Sequence, residues 1–137
     1  MTGSSMLPTF SEGEILLVNR LALYVKSVER GQIVIFKNKS SGDEYIKRVI
    51  GLPGESVEII DGSVYINGIY LDESEYLAFR QGDLAETFVP SGHVFLLGDN
   101  RSVSLDSRDA SVGCVPLTAL DGCVMMRISP FTGLVFY

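Results

Sequence analysis

Apolar positions in this chain come in short runs separated by polar clusters rich in Gly, Ser, Asp and Asn. They do not sustain the helical spacing that an amphipathic helix needs, so the runs predict strands. Glu14–Arg20 reads as one strand, and Gln32–Lys37 as another whose unbroken Ile-Val-Ile-Phe core predicts burial on both faces. Between them Leu21–Val25 is apolar without a clean period, which fits a core-facing connector or a loop that meets lipid or a partner. Glu44–Ile50 follows a polar hairpin loop. Asp61-Gly62 joins Ser56–Ile60 to Ser63–Ile66, and Asn67-Gly68 joins the latter to Ile69–Leu71. Both dipeptides favour the positive φ values of two-residue hairpin turns. Residues 72–90 are acidic and weakly patterned, and predict a surface excursion with a short strand near Thr87–Val89. Val94–Leu97 is a strand, 98–112 a polar loop, Pro116–Leu120 one helical turn, and Gly122–Ile128 a last strand. The expected fold class is all-β: bent antiparallel sheets forming a barrel-like core with a small β-hairpin cap.

Composition narrows the function classes. The 137 residues suit one domain able to bury a core without disulfides or a structural metal. A hydrophobic content of 46% excludes disorder for most of the chain, and a net charge of −6 argues against a nucleic-acid partner. Cys114 and Cys123 are too few for a disulfide framework and read as small core residues. No run is long enough for a membrane span.

The common catalytic patterns are missing: no G-x-S-x-G elbow, Walker loop or G-x-G-x-x-G. The single histidine, His93, follows Ser91-Gly92 at the start of a strand and reads as a turn residue, which disfavours a Ser-His-Asp triad. The acidic loop from Asp99 is not a calcium hand, because Ser104 stands where the turn needs Gly and Ala110 where the bidentate Glu belongs. A serine–lysine arrangement remains. A serine hydroxyl needs a base, and a lysine can serve only if burial keeps its amine neutral. Lys47 and Arg48 adjoin each other inside an apolar strand, so alternation sends one of them toward the core.

Three segments carry a resemblance: Gly3-Ser4-Ser5-Met6-Leu7-Pro8-Thr9, the run from Tyr45 to Glu55, and Gly98-Asp99-Asn100-Arg101-Ser102-Val103-Ser104-Leu105-Asp106-Ser107-Arg108. In order and spacing they resemble the signature boxes of bacterial type I signal peptidases, Ser–Lys proteases bound to the membrane, and Arg30–Phe36 resembles a further box. The match runs from Gly3 to about Phe131 and looks Gram-positive-like, since the region after Gly54 is short.

The resemblance implies Ser5 as nucleophile, Lys47 as general base, and Ser104 as the hydroxyl that hydrogen-bonds and aims the amine. It implies an oxyanion site at the Ser5 backbone N–H with Gly3, and structural roles for Asp99, Arg101 and the Asp106–Arg108 ion pair. It implies substrate pockets lined by Met6, Phe10, Leu16, Ile35, Tyr45 and Ile46, although plain core packing explains Leu16 and Ile35 equally well. One catalytic domain over 1–137 follows, with a core at about 1–55 and 88–137 and a non-catalytic cap at about 56–87. No cofactor or metal is implied. The implied partners are preprotein signal peptides, cut after small residues at P1 and P3, and the lipid surface. The implied setting is a monomer on the extracytoplasmic face of a bacterial membrane, its upstream membrane anchor removed from this chain. At least two of the three apolar stretches at Met6–Phe10, Leu21–Val25 and Phe131–Tyr137 are expected to form one exposed patch beside Ser5. Three other readings stay open: a self-cleaving repressor-type Ser–Lys protease, a weak or specialised relative serving pilin assembly, and a non-enzymatic β-barrel binding module.

Overall fold

The computed structural model describes residues 3–129 and 133–137. Met1-Thr2 and the Pro130–Thr132 stretch, which includes Phe131 of the expected apolar patch, lie outside the described residues.

The two hairpin dipeptides fold as their chemistry dictates. Asp61 and Asn67 take φ of 49° and 50°, and the glycines after them are also positive. They link β4 (Ser56–Ile60), β5 (Ser63–Ile66) and β6 (Ile69–Tyr70) into an antiparallel meander. Strand β7 (Leu84–Phe88) adds to the other side of β4. It begins earlier than the expected Thr87–Val89 because Leu84 pairs with Ile59.

The larger sheet is built from β1 (Ile15–Asn19), β2 (Ile33–Lys37), β3 (Glu44–Gly51), β8 (His93–Leu97), β9 (Val115–Pro116), β10 (Leu120–Ser129) and β11 (Gly133–Phe136). Its order is β1-β10-β2-β3-β8-β9, with β11 also on β10. All described pairings are antiparallel. The fold is therefore mainly β, but the sheet is open: β1 and β9 lie at opposite ends of the order, so the barrel-like expectation does not extend to closure. The connector after β1 contains a short helix, α1 (Ala22–Val25), and the turn expected at Pro116–Leu120 is a 3₁₀ turn at Leu117–Ala119.

The unbroken apolar run of β2 is buried on both faces, as its composition requires. Val34 and Phe36 pack with Val49, Val94, Leu96, Val115 and Cys123. Ile33 and Ile35 pack on the opposite side with Met6, Phe10 and Val124. A third cluster joins the two sheets, combining Ile50, Phe95 and Leu97 with Val57, Ile59, Val64 and Ile66. The cap thus shares a core with the larger sheet. Cys114 and Cys123 are free thiols.

Candidate active site

The segment carrying Ser5 is held from below and from the side. Met6 and Phe10 are fully buried in the Ile33–Ile35 cluster, and the Phe10 N–H donates to Met6 O at 2.9 Å, which closes the chain into a compact turn. Ser5 sits half-buried on that turn. Its carbonyl accepts the Asn100 N–H at 2.9 Å, and the Asn100 side chain donates to Ser4 O at 3.1 Å. The Thr9 hydroxyl donates to Asp99, and Arg127 donates to Thr9 O at 2.7 Å.

Strand β3 brings Lys47 to this turn. Alternation predicts that Lys47 and Arg48 point to opposite sides, with one of them buried. Both are buried, Lys47 at 2% and Arg48 at 7% exposure, because each side of the strand is covered and supplies a polar partner. Arg48 makes a two-pronged ion pair with Asp99, at 2.9 and 2.7 Å. Among the described residues Lys47 has no carboxylate in hydrogen-bonding contact. Its Nζ lies 3.0 Å from Ser5 Oγ and 3.1 Å from the Ile46 carbonyl, and 5.4 Å from the centroid of the Tyr45 ring. Burial pushes its pKa down to about 8, against the smaller upward pull of the Asp106 and Asp99 carboxylates.

Loop 98–112 completes the surroundings. Asp106 accepts from the Gly98 N–H at 3.1 Å and pairs with Arg108 at 2.9 and 3.0 Å, while Arg108 also donates to Arg101 O. Arg101 is clamped by Glu73 and returns its Nε to Gly98 O at 2.8 Å. Gly98 allows the close approach of these pieces: a Cβ there would stand 2.1 Å from Ser104 Oγ and 2.7 Å from Ser5 O.

Ser104 departs from expectation. Its Oγ is buried, has no hydrogen-bond partner among the described residues, and does not bond Lys47. The amine instead spends two donors on Ser5 Oγ and Ile46 O, while Ser104 rests against Gly98. Gly3 is exposed, with φ of 92° in the left-handed region. Of the six residues expected to line pockets, Met6 and Phe10 expose nothing and Ile35 only 9%, so they shape the wall from behind. Leu16, Tyr45 and Ile46 are half-buried and retain surface. Tyr45 packs with Phe36 on the opposite side of β2 from Met6 and Ile35.

Sequence reasoning passed over Glu73, Tyr76, Asn100 and the Arg48–Asp99 pair. Residues 72–90 read as a surface excursion, yet Glu73 is buried at 3% exposure because Arg101 supplies its counter-charge. An acidic residue in an acidic segment carries no local signal of such a partner.

Comparison with known proteins gives the family. The family profile described as "Signal peptidase, peptidase S26" matches residues 1–129. The chain is 42% identical over 139 residues to Signal peptidase I T of Bacillus subtilis (strain 168), covering 94% of this chain and 72% of that one. It is 36% identical over 148 residues to Signal peptidase IB of Staphylococcus aureus, covering 95% of this chain and 76% of that one. The crystal structure of a signal peptidase I from Enterococcus faecalis V583 superposes with a TM-score of 0.59 at 34% identity, covering 72% of this chain and 97% of that one. The chain therefore belongs to the signal peptidase family, peptidase S26.

Proposed function

We propose that this chain is a serine endopeptidase of the type I signal peptidase class, removing N-terminal signal peptides from exported preproteins. The observation that carries the reading is a lysine at 2% exposure whose Nζ stands 3.0 Å from a serine Oγ and whose pKa is pushed down to about 8. At that pKa a useful fraction of the amine is neutral near pH 8, where an ordinary lysine would be almost wholly charged.

In the proposed mechanism neutral Lys47 Nζ takes the proton from Ser5 Oγ as Oγ attacks the scissile carbonyl carbon. The tetrahedral oxyanion is held by the Ser5 backbone N–H, with Gly3 beside it. Lys47 then gives the proton to the leaving amine, the C–N bond breaks, and an acyl-Ser5 ester remains. Water, deprotonated by the same amine, attacks the ester carbonyl carbon; the C–Oγ bond breaks, and the Lys47 ammonium returns the proton to Ser5 Oγ. Ser104, whose buried hydroxyl has no hydrogen-bond partner among the described residues, would have to turn from its place against Gly98 to orient the amine during these transfers.

The sheet also supports an extended substrate. β3 pairs with β2 from Glu44 to Arg48, whereas its described pairing with β8 starts only at Arg48. The opposite edge of residues 44–47 therefore has no strand partner among the described residues, and a peptide could add there as a strand. Ile46 and Leu16 offer shallow apolar surface suited to small side chains at P1 and P3.

We place the protein as a monomer on the extracytoplasmic face of a bacterial membrane, in contact with lipid. No helix among the described residues is long and apolar enough to cross a bilayer. The exposed Leu21 just before α1, Tyr24 and Val25 within it, and Leu134 and Phe136 of β11 support peripheral contact. Met6 and Phe10 take no part in that surface, since both are core. The deciding experiment is cleavage of a preprotein-like peptide with Ala at P3 and P1. The unaltered chain should cut it after P1, while folded Ser5→Ala and Lys47→Ala should not; turnover by pure Lys47→Ala would refute the dyad.

A further inference from the structure

The cap is joined to the serine turn by a chain of charged and aromatic contacts. Tyr76 lies in the segment between β6 and β7, and the Arg48 guanidinium stacks 3.9 Å from its ring centroid. Its hydroxyl donates to Glu73 at 2.8 Å, and Glu73 accepts both terminal nitrogens of Arg101. The Glu73 and Arg101 side chains are 4% and 0% exposed, and Arg48 and Asp99 are as deeply set at 9% and 0%. Desolvated pairs of this kind have well-defined geometry, and removing one partner leaves an uncompensated charge. Both arginines act on the same short turn. Arg48 holds the Asp99 carboxylate, and Arg101 Nε holds Gly98 O. Between Asp99 and Arg101 lies Asn100, whose N–H holds the carbonyl of Ser5. Asp99 also accepts the hydroxyl of Thr9 at the far end of the serine turn.

We propose that Glu73 and Tyr76 of the cap are positioning residues for the Ser5–Lys47 pair, acting through Arg101 and Arg48 on the Gly98–Arg101 turn that fixes Ser5. This rests on the proteolytic reading of Ser5 and Lys47, and gives the cap a part in the reaction. Tyr76 holds the Arg48 guanidinium flat by stacking, which keeps both prongs on Asp99. Glu73 neutralises Arg101 and orients it, so that its Nε meets the Gly98 carbonyl. Loosening either contact lets the turn drift, and Ser5 Oγ with it. A displacement of about 1 Å at a reacting atom costs on the order of 100-fold in rate.

The test uses Tyr76→Leu, Tyr76→Phe and Glu73→Gln, with Glu86→Gln on the exposed outer strand of the cap as a control of equal charge change. Peptide cleavage should show kcat reduced tenfold or more in Tyr76→Leu and Glu73→Gln, with KM within about twofold, and wild-type values in Glu86→Gln. Tyr76→Phe keeps the ring and should recover most of the Tyr76→Leu loss. Two further readouts need no substrate: amide hydrogen exchange at Asn100 and NMR titration of Lys47 Nζ. Faster exchange and a displaced titration in the folded variants are expected. Folded variants with wild-type kcat, Asn100 exchange and Lys47 titration overturn the proposal, whatever their melting temperature. If the unaltered chain cleaves no preprotein peptide, the proteolytic reading fails separately, and the two substrate-free readouts decide whether the clamp fixes the turn.

Discussion

Replacing Lys47 with methionine should stabilise the protein at neutral pH, and the gain should vanish in alkali. The amine is 2% exposed and its pKa is pushed down to about 8. In the unfolded chain an ordinary lysine titrates at about 10.4. Below pH 8 the amine is charged in both states, so folding carries the full cost of burying it. At about 1.4 kcal/mol per pH unit, the gap corresponds to about 3 kcal/mol. Between pH 8 and about 10.4 the folded form sheds its proton while the unfolded form keeps it, and wild-type stability rises. Above both values the amine is neutral in both states and the cost is gone. Methionine matches the length of the aliphatic stem and has no charge to bury. It forfeits the contacts to Ser5 Oγ and Ile46 O, an offset of about 1 kcal/mol that varies little with pH. The net advantage of Lys47→Met is thus about 2 kcal/mol at pH 7, turning slightly negative by about pH 10.5.

Urea unfolding of both proteins at pH 7, 8.5 and 10 measures it, with every other titrating group common to the pair. The informative quantity is the change in the difference across that range, about 2.5 kcal/mol, because pH-independent packing effects cancel. A difference that stays flat from pH 7 to 10 would show that the Lys47 amine is not depressed and that burial does not prepare it as a base. A difference that grows with pH would mean the folded state favours the charged amine.

Other outcomes follow from the same geometry. The rate of peptide cleavage should rise with pH along an ascending limb near 8, since only the neutral amine accepts a proton; a limb near 10.4, or a flat profile from pH 6 to 9, contradicts a buried lysine base. Ser104→Ala should lower kcat by roughly 10- to 100-fold without unfolding the chain, because it removes an orienting hydroxyl that has no structural partner; a folded variant with unchanged kcat would remove Ser104 from the machinery. Lipid vesicles should bind the wild-type chain and release it on Tyr24→Ser with Phe136→Ser, measured by co-sedimentation; equal binding by the double variant refutes lipid contact through α1 and β11. Phe10→Ser does not serve there, because Phe10 is core and its loss would cost stability instead.

What the sequence discloses is mostly local. Asp61-Gly62 and Asn67-Gly68 write their turns in two residues, and β4, β5 and β6 follow close to the expected bounds. The apolar run of β2 states its own two-sided burial. Strand β11 is different: Leu134 and Phe136 are 59% and 75% exposed, so no alternation marks an inner face, and its place depends on pairing with Met126–Ser129. Sheet closure is likewise a property of how the end strands meet, which periodicity along one strand does not encode. At the site, Ser5 and Lys47 stand out through residue type and box order, but their spacing in the chain says nothing of the 3.0 Å between their atoms. Arg48, Glu73 and Tyr76 were harder still. Each depends on a counterpart 25 or more residues away, with 28 separating Glu73 from Arg101 and 51 separating Arg48 from Asp99.

The order of Lys47 and Arg48 along β3 has a physical consequence of its own. Loop 98–108 needs Asp99 and Asp106 as anchors, yet both carboxylates lie near enough to raise the pKa of the Lys47 amine. A direct carboxylate contact would hold the amine charged and useless as a base. The chain avoids this by giving each carboxylate a guanidinium of its own: Arg48 on Asp99 and Arg108 on Asp106. Alternation then sends Arg48 to the other side of the strand and leaves Lys47 against the serine, its amine hydrogen-bonded to a hydroxyl and a carbonyl. Exchanging the two side chains would reverse both features. A guanidinium, always charged, would face Ser5 and could accept no proton, while a lysine would meet Asp99 as a point charge without the two-pronged grip. The adjacency of a buried lysine that must lose its proton to act as the proposed base and a buried arginine that cannot therefore lets one strand carry both that lysine and the guanidinium that occupies Asp99.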